Sequence, residues 1–187
     1  MEFISDRVSV ERQGSGTSVV ISARLPMKQM ALLGLWLAVW TLCGAAFMYE
    51  ASVNKMPEMR MPLWVMLAFW AYFELRIMRV LLWRTKGFEL WRVLEGELTI
   101  KNSLFRFGRA NRYFIANIQR LGLLNMEKTS WKWQLSDSFW TRGAEQLGFE
   151  YQGRKVAFGR GLTEEEARKL VHLLSTELKR ERKAAQQ

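Results

Sequence analysis

The apolar positions of this chain change their period three times. Residues 8–24 alternate on both sides of Gly14-Ser15-Gly16, which predicts a strand, a glycine-rich turn and a second strand. Residues 30–49 (MALLGLWLAVWTLCGAAFMY) then carry no charge at all. At 1.5 Å per residue such a helix reaches about 30 Å, the hydrocarbon thickness of a bilayer. A second run over 62–83 is uncharged through Phe73 and takes up Glu74, Arg76 and Arg79 before Trp83. From Gly87 onward the period is close to two. Strands are expected at 88–94, 97–105, 111–116, 121–125, 147–151 and 155–158, with tight turns at Glu95-Gly96 and Gln152-Gly153. The last change comes at Thr163, where Thr163-Glu164-Glu165-Glu166 forms a capping box. Ala167, Leu170, Val171, Leu174 and Leu178 follow as one apolar stripe, so a helix is expected over 163–183.

These periods predict an α+β membrane protein: a two-helix transmembrane hairpin joined to an antiparallel β half-barrel capped by a C-terminal amphipathic helix. The expected division is an N-terminal β-hairpin (1–28) packed on the C-terminal domain, a two-span hairpin (29–84) and a cytoplasmic β domain (85–187). On the first span Gly34, Ala38, Thr41 and Ala45 form a face of small residues, matched by Ala68 and Ala71 on the second. Such faces let helices approach closely, either within the hairpin or toward another subunit. Glu74 is open to three placements: paired with a neighbouring arginine, against a partner subunit, or at the interface. Arg79 lies one turn from Trp83, within reach of a cation–π contact.

Charge orients this arrangement. The chain of 187 residues carries 28 Lys+Arg against 18 Asp+Glu. Basic residues flank the outer ends of the hairpin (Arg24 and Lys28; Arg76, Arg79, Arg84 and Lys86), while those of the 50–61 loop are balanced by acids. The positive-inside rule therefore places both termini in the cytoplasm and the protein in the inner (cytoplasmic) membrane as a two-pass chain. Residues 84–187 hold 20 Lys+Arg and 12 Asp+Glu, with Lys101, Arg106, Arg109 and Arg112 around one turn and Arg84 and Lys86 at the junction. These six are the candidate contacts to anionic lipid.

Candidate chemistry is sparse. His172 is the only histidine, Cys43 the only cysteine, and Asp6 and Asp137 the only aspartates, so no metal set and no nucleophile with its base can be assembled. The glycine turns lack the Lys-Ser/Thr of a phosphate loop, and nothing suggests nucleic acid. No cofactor is expected, and the chain does not read as an enzyme.

The stretches SVVISAR, LLWRTKGFELWRVLEGELTIKNSLFRFGRANRYFIANIQRLGL and LGFEYQGRKVAFGRGLTEEEARKLVHLL carry a resemblance. The strand order closed by a capped helix resembles the bacterial pleckstrin-homology-like domain. More narrowly, the chain looks like a family of small bacterial two-span proteins of uncharacterised function built on that domain. The resemblance implies a fold and a membrane location, and no catalytic residues. Residues 126–146 depart from it with Trp131, Trp133, Phe139 and Trp140, and SWKWQL alternates as a further strand would. These aromatics either cover the barrel core, dock a partner protein or dip into the lipid interface. Two functions follow: an accessory or assembly subunit of a larger membrane complex, or a surface sensor of anionic head groups or a peptide. The expected partners are membrane lipids and other membrane-protein subunits.

Overall fold

The structure is a computed structural model that describes residues 2–14, 16–53, 57–105, 107–124 and 140–184. It is an α+β chain with three helices and antiparallel sheets. Strands β1 (Glu2–Ser5), β2 (Val8–Gln13) and β3 (Gly16–Ser22) precede two long helices, α1 (Met27–Val53) and α2 (Pro57–Lys86). Strands β4 (Gly87–Leu94), β5 (Glu97–Leu104), β6 (Ala110–Phe114), β7 (Ile118–Leu123), β8 (Glu145–Tyr151) and β9 (Arg154–Arg160) follow, and α3 (Glu164–Ala184) closes the chain.

The expected N-terminal hairpin is present, and its attachment is tighter than packing alone. β3 pairs with β4 from Thr17↔Val93 to Ser22↔Phe88, so β1 to β6 make one continuous sheet in sequence order. A lone hairpin is marginal in water, and edge-to-edge addition satisfies its open strand. β7, β8 and β9 form a second sheet. Period-two alternation turns Val8, Val10, Val19, Ile21, Trp91, Leu98 and Ile100 of the first sheet inward, against Leu147, Phe149 and Phe158 of the second. The α3 stripe of Ala167, Leu170, Leu174 and Leu178 packs into the same core.

Two expected strands begin or end elsewhere. After Phe114 a 3₁₀ turn (Ile115–Asn117) buries Ile115, which ends β6 two residues early. β7 starts at Ile118 rather than 121 because a register shift between Gln119 and Gly122, with Arg120 at φ 51°, breaks the alternation that would have revealed it. β1 was not expected, since its four residues carry no inward apolar pattern. The strand expected at SWKWQL lies outside the described residues.

Glu89 is an inward-facing carboxylate on β4, only 2% exposed. It accepts hydrogen bonds from Trp91 Nε1 (2.8 Å), Gly159 N (2.9 Å) and Arg160 N (3.1 Å). Because β4 belongs to the first sheet and β9 to the second, this one side chain ties the two sheets together. Glu166 does the same for β1 and α3. It caps the helix as expected, accepting from Thr163 N (2.8 Å) while its own N–H donates to Thr163 Oγ1 (3.2 Å). It also accepts from Ser5 Oγ (2.6 Å) and from Arg7 Nη2 (3.0 Å). Burial alone would push its carboxyl up, but the donors from Ser5 and Thr163 and the Arg7 guanidinium together hold it below the usual range.

Glu89→Ala leaves three donors unpaired, two of them buried, a loss of about 3 kcal/mol. That corresponds to a fall in Tm of about 6–12 °C for a chain of this size. Thermal melts of the full chain in detergent check it, with Glu89→Gln expected between the two because its amide oxygen still accepts. For Glu166 the folded value lies below the unfolded one, so its stabilisation is complete above the usual carboxylate range and drains away as the pH falls through the lowered value. Melts taken down an acid series should therefore fall less steeply for Glu166→Gln than for the native chain. Parallel curves would refute this.

Candidate membrane and partner surfaces

The helices make their main contacts with each other. α1 turns Leu33, Leu37 and Gly44 toward α2, where Ile77 and Val80 complete a small apolar cluster. Trp70 crosses over Gly44 so closely that a Cβ there would fall 1.8 Å from the indole ring. The Trp70 Nε1–H donates to Trp40 O at 2.8 Å. Glu74 takes none of its three expected placements and turns inward to α1: it is 7% exposed, and its Oε1 lies 2.8 Å from Thr41 Oγ1, which also contacts Leu37 O. Its Oε2 has no hydrogen-bond partner among the described residues.

The predicted small-residue face is therefore not the seam of the hairpin. Thr41 of that set hydrogen-bonds to α2, while Ala38 and Ala45 are exposed and a Cβ on Gly34 would meet nothing within 4 Å. The seam runs one position round, through Leu33, Leu37 and Gly44. Period alone could not separate the two faces, because both are apolar over residues 30–49, which carry no charge. Ala68 and Ala71, expected to match the small face, instead line a shallow apolar groove of about 570 Å³ with Met48, Ala51, Trp64 and Trp70.

At the other end of the hairpin the chain returns from outside the described residues at Trp140. Its ring meets Trp36 edge-on at 5.0 Å, and Trp36 in turn stacks on Trp40. Of the four aromatics singled out in 126–146, Trp140 is thus placed against α1; Trp131, Trp133 and Phe139 lie outside the described residues. Arg142 sits over the Trp83 ring at 5.9 Å, taking the cation–π position expected for Arg79. Arg79 instead joins Tyr72, Arg76, Trp140, Thr141 and Arg142 around a cavity of about 470 Å³. Arg76 donates to Tyr72 Oη at 3.2 Å.

The basic candidates separate. Arg84 is 3% exposed and donates from Nε to Thr141 O at 3.0 Å, so it is a joint between α2 and the 140–144 segment rather than a head-group ligand. Lys101 and Arg112 share the outer face of the first sheet, Lys101 opposite Ala110 and Arg112 opposite Thr99. Arg109 and Lys86 are exposed at the end of that sheet where α2 arrives. Arg106 lies outside the described residues. Arg142 and the Trp140–Trp36 contact were not foreseen, since both depend on a long-range return of the chain.

Among the described residues no three His, Cys, Asp or Glu side chains stand close enough to hold a metal ion. His172 is exposed on α3 and Cys43 is exposed on α1. What the arrangement offers is surface: an apolar pair of helices, a small-residue face on one of them, and an arginine-lined cavity near the β domain. Compared with protein-family models, curated proteins and solved structures, the chain gives no match.

Gly44→Val should force Trp70 out of the seam and cost about 2 kcal/mol or more. Gly34→Ala faces open space and should stay within about 0.5 kcal/mol of the native chain. Thermal melts of the two variants side by side test the seam, and equal losses would place it wrongly.

Proposed function

We propose that the chain is a two-span membrane protein, with both termini and the β domain in the cytoplasm, that serves as a non-enzymatic accessory or assembly subunit of a larger membrane complex. α1 is the one helix among the described residues long and apolar enough to cross a membrane by length and composition. A helix of that kind in a soluble core is mostly buried, whereas 11% of its most apolar window is buried here. α2 falls short on composition because Glu74, Arg76, Arg79 and Arg84 lie in its second half. Each of these has a place compatible with a span: Glu74 is sealed against Thr41, Arg84 is buried at the junction, and Arg76 and Arg79 lie on the β-domain side, where long side chains snorkel.

The accessory-subunit reading is carried by the unfilled small-residue face. Among the described residues Ala38 and Ala45 are exposed and a Cβ on Gly34 would meet nothing within 4 Å, and a close helix–helix approach is what such a face accommodates. Trp140 meets α1 near the same level, at Trp36, giving a partner an aromatic contact beside the small-residue face. Purification in mild detergent followed by mass spectrometry tests this. A partner should co-purify with the native chain and be lost with Gly34→Leu plus Ala38→Leu, whose melt stays native. A monomer with no partner, or a partner indifferent to both substitutions, would overturn it.

A second reading, a membrane-surface sensor of anionic head groups in a pleckstrin-homology-like domain, is favoured by the three arginines around one cavity. On that reading, native mass spectrometry retains phosphatidylglycerol on the chain and loses it with Arg79→Gln plus Arg142→Gln.

A further inference from the structure

We infer that the turn between β5 and β6 is a wedge, through which Phe105 and Phe107 enter the head-group and acyl boundary of the leaflet beside the β domain. The inference rests on the two-span reading above and adds a third point of contact with the bilayer. Phe107 is 83% exposed and Phe105 49% exposed, two large apolar rings on an otherwise polar turn. The two ends of the turn are held together. Leu104 and Phe107 exchange both backbone hydrogen bonds, at 2.8 and 2.9 Å, and the chain then passes so close to Asn102 O that a Cβ on Gly108 would fall 2.0 Å from it.

Holding the turn has a cost. Phe105 adopts φ 52°, a left-handed conformation that a bulky side chain avoids and that Asn or Gly takes readily. A strained aromatic with no core to fill points to use outside the fold.

Position names the occupant. Leu104 pairs with Gly87, the residue directly after the last residue of α2, so the turn lies at the end of the sheet from which both helices leave. Neighbouring strands are about 4.8 Å apart, which places the two rings beside the base of the hairpin and level with its last turn. Lys86 and Arg109, both exposed at the same end, supply positive charge where an anionic leaflet supplies negative. Aromatic rings flanked by basic residues are the composition of an interfacial anchor.

The test uses the full chain in a Cys43→Ser background, reconstituted in vesicles of phosphatidylcholine and phosphatidylglycerol doped with spin-labelled lipid. A fluorophore is placed in turn through Leu42→Cys on α1, Arg109→Cys beside the wedge, and Lys155→Cys on β9 near the turn that pairs Tyr151 with Arg154, away from the helices. Deep labels should quench position 42 and shallow labels position 109, with position 155 unaffected. Phe105→Asn plus Phe107→Ser should drop the signal at 109 to the level at 155 and leave position 42 unchanged. Those substitutions should also keep or raise the melting temperature, since the left-handed strain is relieved. No quenching at 42 would overturn the two-span reading itself. Quenching at 42 with position 109 no different from 155, or unmoved by the double substitution, would overturn the wedge alone.

Discussion

Everything in this molecule is arranged around a helical hairpin inserted between two neighbouring strands without a flexible linker. β3 and β4 are hydrogen-bonded partners, and Ala23 N–H donates to Gly87 O at 3.1 Å just beyond their last pair. Four residues lead from β3 to α1, and none separates α2 from β4. Adjacent strands are about 4.8 Å apart while packed helices need 8–10 Å, so the short connection before α1 must absorb the difference. The direct junction at α2 has no such slack. A Cβ at Gly87 would fall 2.4 Å from Trp83 O and 2.6 Å from its ring, so only glycine lets the helix become a strand at that point. Arg84 then ties the last helical turn to Thr141 O. α2 therefore passes into the sheet with no loop between them.

Three buried or nearly buried glutamates hold the parts in register, each by a different device. Glu89 joins the sheets through two backbone N–H groups and an indole; Glu166 joins β1 to α3 through a capping box extended by Ser5 and Arg7; Glu74 meets Thr41 across the helical seam. Burying a carboxylate is expensive, and an apolar replacement of the same volume is often as stable. What an apolar residue lacks is direction. Leucine at position 89 would tolerate a sheet slipped along its neighbour, whereas a carboxylate aimed at the N–H groups of Gly159 and Arg160 accepts one register only.

The elements were legible in the sequence wherever one face is buried and the other is wet. Alternation marked β2 to β5, β8 and β9, and the capping box with its stripe marked α3 to within a residue at its ends. Legibility failed where that contrast vanishes. β7 carries a bulge, β1 is four residues long with Ile4 alone packed on the core, and the two sides of α1 are both apolar, so the chain could announce a long helix but not which side meets α2. Long-range contacts left no local trace either. Nothing near Arg84 marks it as a joint, because its acceptor, Thr141 O, is backbone supplied from far along the chain.

The distribution of exposed apolar side chains connects these points. Of the 23 large hydrophobic residues exposed among the described ones, 18 lie between Met27 and Met78 on α1 and α2, which no core of this β domain could cover. Two of the remaining five are Phe105 and Phe107, at the end of the sheet where the helices depart. Soluble monomers rarely leave so large an apolar surface open. On the proposed two-span reading a bilayer would cover the helices and, by continuity, the turn beside them, whereas a partner protein alone would have to sheathe both helices and reach round to the sheet. Within such a bilayer the hydrophobic effect no longer selects one apolar face over another, and helix association depends on close packing and polar contacts. The hairpin spends its polar contacts on itself, at Thr41–Glu74 and Trp70–Trp40, and turns its small residues outward. That division leaves a stable pair of helices with one surface still able to accept a third.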